Sequence, residues 1–312
     1  MRILITGGLG HIGSYFLRNL SSHIPVTEIL VLDSLMTQRF SSLFHLPEIP
    51  RIKFYEKDIR DLDIPFLSQF GPIDYVFHLS ALTDASGTLE KRDLLFSNNL
   101  DSTKLLVQAC KELNIPMIFP STTSVYGSQS NLVDETCNEL LPQSPYAECK
   151  LEEERFILDA VAQGLRAVIL RFGTIHGVSE GMRFHTAVNK FCFQVATGQP
   201  ISVWKTALDQ KRPYLALSDA SKAVAHVVKN SLFSGEIYNV VTNNHTVREI
   251  ITSIKDSTAK ECEIDFVESK IMNQLSYEVS NQKFEYTGFT FQGDLKRDVQ
   301  ETMNLLIGVR NA

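Results

Sequence analysis

Residues 2–13 read RILITGGLGHIG: an apolar run, Arg2 to Thr6, breaks into glycines at 7, 10 and 13. Arg2 to Thr6 has the composition of a buried strand. The residues from Ile12 to Leu20 place apolar side chains at helical spacing. A sharp strand-to-helix turn favours a backbone without Cβ, and the helix that follows offers unpaired N–H groups and the positive end of its dipole. Such a turn seats a pyrophosphate, here against Gly7, Gly10, His11, Ile12 and Gly13. The spacing is GxxGxxG, not the GxGxxG of ordinary dehydrogenases.

Working outward, Ile29 to Leu32 forms a second strand that ends on Asp33. An acidic side chain roughly twenty residues past the turn can accept hydrogen bonds from an adenosine ribose. It would also repel a 2′-phosphate, which favours NAD over NADP, although Arg39 lies close in sequence. Further strands are expected at Ile52 to Glu56, Ile73 to Leu79, Pro116 to Pro120 and Ala167 to Arg171, with long helices at Leu94 to Leu113 and Pro145 to Ala162. Strands alternating with helices imply parallel βαβ units and an α/β, Rossmann-type, doubly wound parallel sheet. Asp58 and Ile59, after the third strand, suit either adenine contacts or a helix N-cap.

After Gly173 the alternation weakens. Phe184 to Gly198 and Asp219 to Asn230 read as helices, Gly235 to Val241 as strand, Thr246 to Ser257 as a capped helix, and the tail as irregular. The expected division is a dinucleotide-binding domain over 1–172, with returns near 209–242, and a smaller substrate-binding lobe from 173–208 and 243–312.

With 312 residues, 44% hydrophobic and 21% charged, the chain can bury a sizeable core. A net charge of −6 gives no support to nucleic-acid or anionic-membrane partners. The five cysteines are odd in number and lack CxxC spacing, so neither a disulfide framework nor a metal site is expected. No apolar run has the length of a membrane span, and a cytoplasmic location is expected.

Ser144 to Lys150, SPYAECK, contains Tyr-x-x-x-Lys. On a helix, i and i+4 share a face, so Lys150 can approach the phenol of Tyr146 and lower its pKa from about 10 toward that of a useful base. Upstream, a strand ends in the hydroxyls of STTSVYG at Ser121.

At this point the chain resembles the extended short-chain dehydrogenase/reductases of the NAD-dependent epimerase/dehydratase family, above all those of the UDP-galactose 4-epimerase type. TGGLGHIG, VLDSL, FHLSA at Phe77, NNLDSTKLL at Asn98, STTSVYG, SPYAECK, LRFGTIHG at Leu170, RPYLALSDA at Arg212 and TVREI at Thr246 carry the likeness over nearly the whole length. The resemblance implies Tyr146 as acid/base, Lys150 on the nicotinamide ribose and Thr122 on the reacting hydroxyl. It implies Gly7, Gly10, Gly13, Asp33, Asp58, Ile59, Leu79, Ala81 and Asn99 around NAD. Thr83, Thr122, Thr174 and Arg212 would meet the nucleotide sugar, with Arg212 on its diphosphate.

Ser80 and His176-Gly177-Val178 depart from the family's usual residues, and Thr174 stands where many members have Asn. His176 is expected to be packed or solvent-facing. Thr123-Ser124 replace the Asp-Glu of 4,6-dehydratases, which counts against dehydration. The implied activity is C4 epimerisation of a nucleotide sugar in carbohydrate biosynthesis, by a homodimer paired through a four-helix bundle. A net dehydrogenase or 4-keto reductase, or a non-catalytic NAD-binding regulator, are the alternatives.

Overall fold

The computed structural model describes residues 1–83, 89–204, 207–258, 262–267 and 277–309. The first part of the chain forms β1 (Arg2–Thr6), α1 (His11–Asn19), β2 (Glu28–Asp33), β3 (Arg51–Glu56), α2 (Ile64–Ser68), β4 (Tyr75–His78) and α3 (Leu89–Glu112). Then come β5 (Met117–Thr122), β6 (Leu132–Val133), α4 (Pro145–Ala162), β7 (Ala167–Phe172), β8 (Thr174–His176) and α5 (Ala187–Ala196). They are followed by β9 (Ile201–Trp204), β10 (Lys211–Ala216), α6 (Leu217–Lys229), β11 (Ser234–Val240), β12 (Asn243–Thr246) and α7 (Val247–Ser257). The last elements are β13 (Ile264–Val267), β14 (Glu278–Val279), α8 (Gln282–Glu285) and α9 (Leu295–Leu305).

Seven parallel strands make the main sheet in the order β3-β2-β1-β4-β5-β7-β11. Its inner strands are apolar runs because both faces are covered, whereas the edge strand β3 is only half-buried and carries charged residues. Ile3, Ile5, Ile29 and Val31 face a layer holding Phe16 and Leu17 of α1 and Val224 and Val228 of α6. Leu4, Leu30, Val76 and Phe119 face Leu106, Val107 and Cys110 of α3 and Ile157 of α4. The chain runs outward from β1 to β3, then returns to lay β4 on the other side of β1. That reversal opens a crevice beyond the carboxyl ends of β1 and β4.

A separate core of Val188, Phe191, Val195, Ile250, Ile254 and Val299 joins α5, α7 and α9. Thr246 and Glu249 cap α7 reciprocally, as the sequence predicts. Two expectations change. The tail is not irregular throughout: Asp294 accepts from the N–H groups of Lys296 and Arg297 and starts α9, which buries Leu295, Val299 and Met303 at helical spacing. Residues 268–276 and 310–312 of that tail lie outside the described residues. The helix expected from Phe184 begins only at Ala187, because residues 181–186 cross to the crevice first.

His176 is packed, its Nδ1 lying 2.8 Å from the Asp298 carboxylate. Among the described residues no helix is long and apolar enough to cross a membrane, and no group of His, Cys, Asp and Glu is placed to hold a metal.

Candidate active site

The crevice is a cleft of about 510 Å³. Gly7, Gly10, His11, Ile12 and Gly13 line its floor, with Gly10 as the N-cap residue of α1. Gly7 has a positive φ of 65°, and a Cβ there would stand 2.6 Å from Ser80 Cα. At Gly13 a Cβ would stand 2.5 Å from the Gly8 carbonyl, so glycine lets α1 sit directly on the turn. The first-turn N–H groups, which have no acceptor inside a helix, therefore border the cleft. His11 borders it too, but its Nε2 lies 2.8 Å from the Gly177 carbonyl, and burial pulls its pKa down to about 4. Its role at the turn is that of a neutral strut.

At the β2–β3 end, Asp33, Asp58 and Ile59 line the cleft. The Asp33 carboxylate accepts from the N–H groups of Leu9 at 3.1 Å and Leu35 at 2.9 Å. Asp58 caps the turn at Ile59–Asp61 through the Arg60 N–H, and its side chain also pairs with Arg60 at 2.7 Å. The N-cap reading of Asp58 therefore holds alongside its place on the cleft wall. Leu79, Ala81 and Thr83 form the wall above β4. Asn99 is not on that wall; it holds the wall in place, accepting from the Leu82 N–H at 2.8 Å and donating to the Leu82 carbonyl at 2.9 Å.

The β5 end carries the reactive groups. Thr122, Tyr146, Lys150 and Thr174 line it together. Ser144 caps α4 through the Ala147 N–H and Pro145 opens it, which places Tyr146 in the first turn and Lys150 one turn on. Lys150 is 2% exposed, with its Nζ 4.2 Å above the Phe119 ring and 3.2 Å from Glu153 Oε2. Burial opposes the ammonium, yet Glu153, with help from Tyr146 and Cys149, holds its pKa above that of an ordinary lysine.

The sequence-based expectation for Tyr146 needs correction. Burial pushes its pKa up; Lys150 pulls down, Glu153 pushes up and Arg183 pulls down, and the net direction is upward. The neighbouring cation pulls the phenol down as expected, but burial outweighs it and Glu153 adds to the upward push.

Arg183, His185 and Thr186 also line the cleft, and sequence reading missed all three. Arg183 Nη1 donates to Thr83 Oγ1 and so joins the loop before α5 to the wall above β4. The available signal was a cluster of cationic and hydroxyl side chains between Gly181 and an apolar helix. Arg212 is not on the cleft wall; it lies on β10 opposite His245, close enough to Tyr214 and Tyr277 for its charge to act on both.

The profile of the NAD-dependent epimerase/dehydratase family matches residues 3–240. The chain belongs to that family. The match spans the glycine turn, Thr122, Tyr146, Lys150 and Arg212. An uncharacterised UDP-glucose epimerase of Bacillus subtilis is 27% identical over 276 residues, 85% of each chain. A bovine dTDP-D-glucose 4,6-dehydratase is 27% identical over 316 residues, covering 97% of this chain and 87% of its own length. Among solved structures, the Thermus thermophilus UDP-glucose 4-epimerase in complex with NAD is 28% identical and superposes with a TM-score of 0.84 over 99% of both chains. Members of the family are NAD-dependent enzymes of the epimerase and dehydratase type, and this chain has their fold, including the smaller C-terminal lobe.

Proposed function

We propose that the protein is a nucleotide-sugar 4-epimerase. The observation that carries this reading is the grouping of Thr122, Tyr146 and Lys150 at one end of the cleft, away from its acidic side chains. Among the described residues the carboxylates on the cleft wall are Asp33 and Asp58, both at the far, β2–β3 end. Elimination of water needs an acid and a base beside the sugar, and the turn after β5 offers hydroxyls in their place. Thr123 Oγ1 lies 3.3 Å from the Phe172 carbonyl, and Ser124 Oγ lies 2.9 Å from Thr122 Oγ1.

The residues present fit NAD. The glycine turn and α1 would hold the pyrophosphate, Asp33 the adenosine ribose, and Lys150 the nicotinamide ribose. NAD supplies a reversible two-electron oxidation at C4 of the sugar. Thr122 would hold the 4-hydroxyl, and Tyr146 would take its proton and later return it. Lys150 would steady the phenolate. Thr83 and Thr174 would flank the sugar, and Arg212 would reach its diphosphate from β10. The lobe of 173–208 and 243–312 would close over the sugar and leave it room to turn its other face. A cytoplasmic homodimer, joined through α3 and α4, completes the reading.

A panel of sugar nucleotides, UDP-glucose first, tests it with NMR of the products. Inversion at C4 without net NADH is expected, and Tyr146→Phe should lower turnover on the order of 10²–10⁴-fold. Stoichiometric NADH would instead establish a dehydrogenase, and near-normal turnover by Tyr146→Phe would overturn the catalytic assignment.

A further inference from the structure

Glu153 is a fully buried carboxylate one turn beyond Lys150 on α4. Its Oε2 lies 3.2 Å from Lys150 Nζ. Its Oε1 accepts from Thr103 Oγ1 of α3 at 2.5 Å. The line continues through His78 of β4, whose Nε2 is 3.0 Å from Thr103 Oγ1 and whose Nδ1 is 2.7 Å from Thr6 Oγ1. Thr6 ends β1, immediately before the glycine turn. A chain of buried polar side chains thus runs from the pyrophosphate seat to the lysine of the reactive end, and Glu153 is where it meets a charge.

Burying a carboxylate is costly unless a cation and hydrogen bonds satisfy it, and Glu153 has both. The other groups around it contribute little charge. Burial, with Lys150 adding to it, holds His78 neutral with a pKa of about 3. Burial and Glu153 push the Cys149 thiol up to about 12. Arg92 of α3 pairs with Glu148 at 3.1 Å, and Arg183 acts on Tyr146 from the loop before α5. Phe119 of β5 offers Lys150 only a ring face. The charges that set the field at Tyr146 are therefore Lys150, Glu153 and Arg183.

We propose that Glu153 is a positioning residue for the reaction: its carboxylate fixes the Lys150 ammonium and, by partly cancelling that charge at Tyr146, sets the pH at which the phenol exchanges its proton. The proposal rests on the reading of Tyr146 and Lys150 given above. A hydrogen-bonding role alone would need only an oxygen for Thr103, whereas this role needs the negative charge.

Glu153→Gln separates the two, because it keeps the oxygen and removes the charge. In full-length protein carrying ¹³Cε-labelled lysine, Lys150 is assigned by the loss of its signal in Lys150→Met. The wild-type Lys150 should stay charged beyond the ordinary lysine value of 10.5. In Glu153→Gln it should titrate at least about one pH unit lower, and Glu153→Asp should fall between. On the sugar nucleotide that the assay above identifies, the Tyr146 limb of the kcat/KM profile should move to lower pH by a similar amount. An unmoved Lys150 titration in folded Glu153→Gln overturns the proposal. If that variant does not fold, an unmoved Lys150 titration in Glu153→Leu, which likewise removes the charge, overturns it equally. Because the lysine titration needs no substrate, it still decides the matter if Tyr146→Phe proves active and the catalytic assignment falls.

Discussion

At the scale of single residues, we propose that Asp33 decides between the two nicotinamide dinucleotides. Its carboxylate is pinned by the Leu9 and Leu35 N–H groups and cannot easily swing aside for a 2′-phosphate. The cation that could receive such a phosphate, Arg39, donates to the Gly181 carbonyl at 2.6 Å. Direct titration should therefore show NAD binding at least about tenfold tighter than NADP, the equivalent of ~1.4 kcal/mol. Asp33→Asn should narrow the gap. Equal affinities in the wild type would mean that Arg39 leaves Gly181 to meet the phosphate. Tyr146 teaches a different lesson: its partner Lys150 is legible in the sequence, whereas the carboxylate that tempers Lys150 is not.

At the scale of elements, α4 carries Glu152, Glu153 and Glu154 in succession, a run that would ordinarily read as a solvated acidic face. Only Glu152 behaves so, pairing with exposed Arg155 at 2.5 Å. Glu154 is 1% exposed and grips Arg171 of β7 at 2.7 and 3.0 Å, and it accepts from Ser121 of β5 at 2.5 Å. Arg171 in turn lies 4.8 Å over the Tyr126 ring. This fork bolts the helix bearing Tyr146 to two strands of the main sheet. Glu154→Ala would leave a buried guanidinium uncompensated and should cost about 3–5 kcal/mol in urea unfolding. Glu154→Leu combined with Arg171→Met should recover most of the loss. A loss below about 1 kcal/mol for the single variant would show that water reaches the pair.

At the scale of the molecule, assembly is the open quantity. The apolar residues of α3 and α4 are mostly used inside: Leu106, Val107, Cys110, Ile157 and Ala160 are buried within the chain's own core. Leu94, Leu105 and Leu158 remain exposed, at 53%, 36% and 37%. α3 and α4 pack side by side, and among the described residues these leucines are the large apolar side chains the two helices leave exposed. Light scattering at micromolar concentration should still give twice the chain mass, and Leu158→Glu should return it to one. A monomer in the wild type would leave α4 held by its own sheet and the Glu154–Arg171 fork alone.

Sequence alone determined the parallel sheet, the glycine turn, the Tyr146–Lys150 pair and the capped helix after Thr246, because each rests on spacing within a few residues. Two periodicities and a handful of turn residues suffice for such local patterns. It also carried the strand expected at Gly235 to Val241, which forms as Ser234–Val240 with β7 as its neighbour in the sheet. Only the tertiary structure decided which of three successive glutamates are buried, that Arg183 reaches Thr83 across the cleft, and that Asn99 braces the wall it was expected to line. Those outcomes depend on partners 17 to 100 residues away in the chain, as in the Arg171–Glu154 and Arg183–Thr83 contacts. A side chain's charge is priced by what faces it after folding, and a linear pattern contains no term for that.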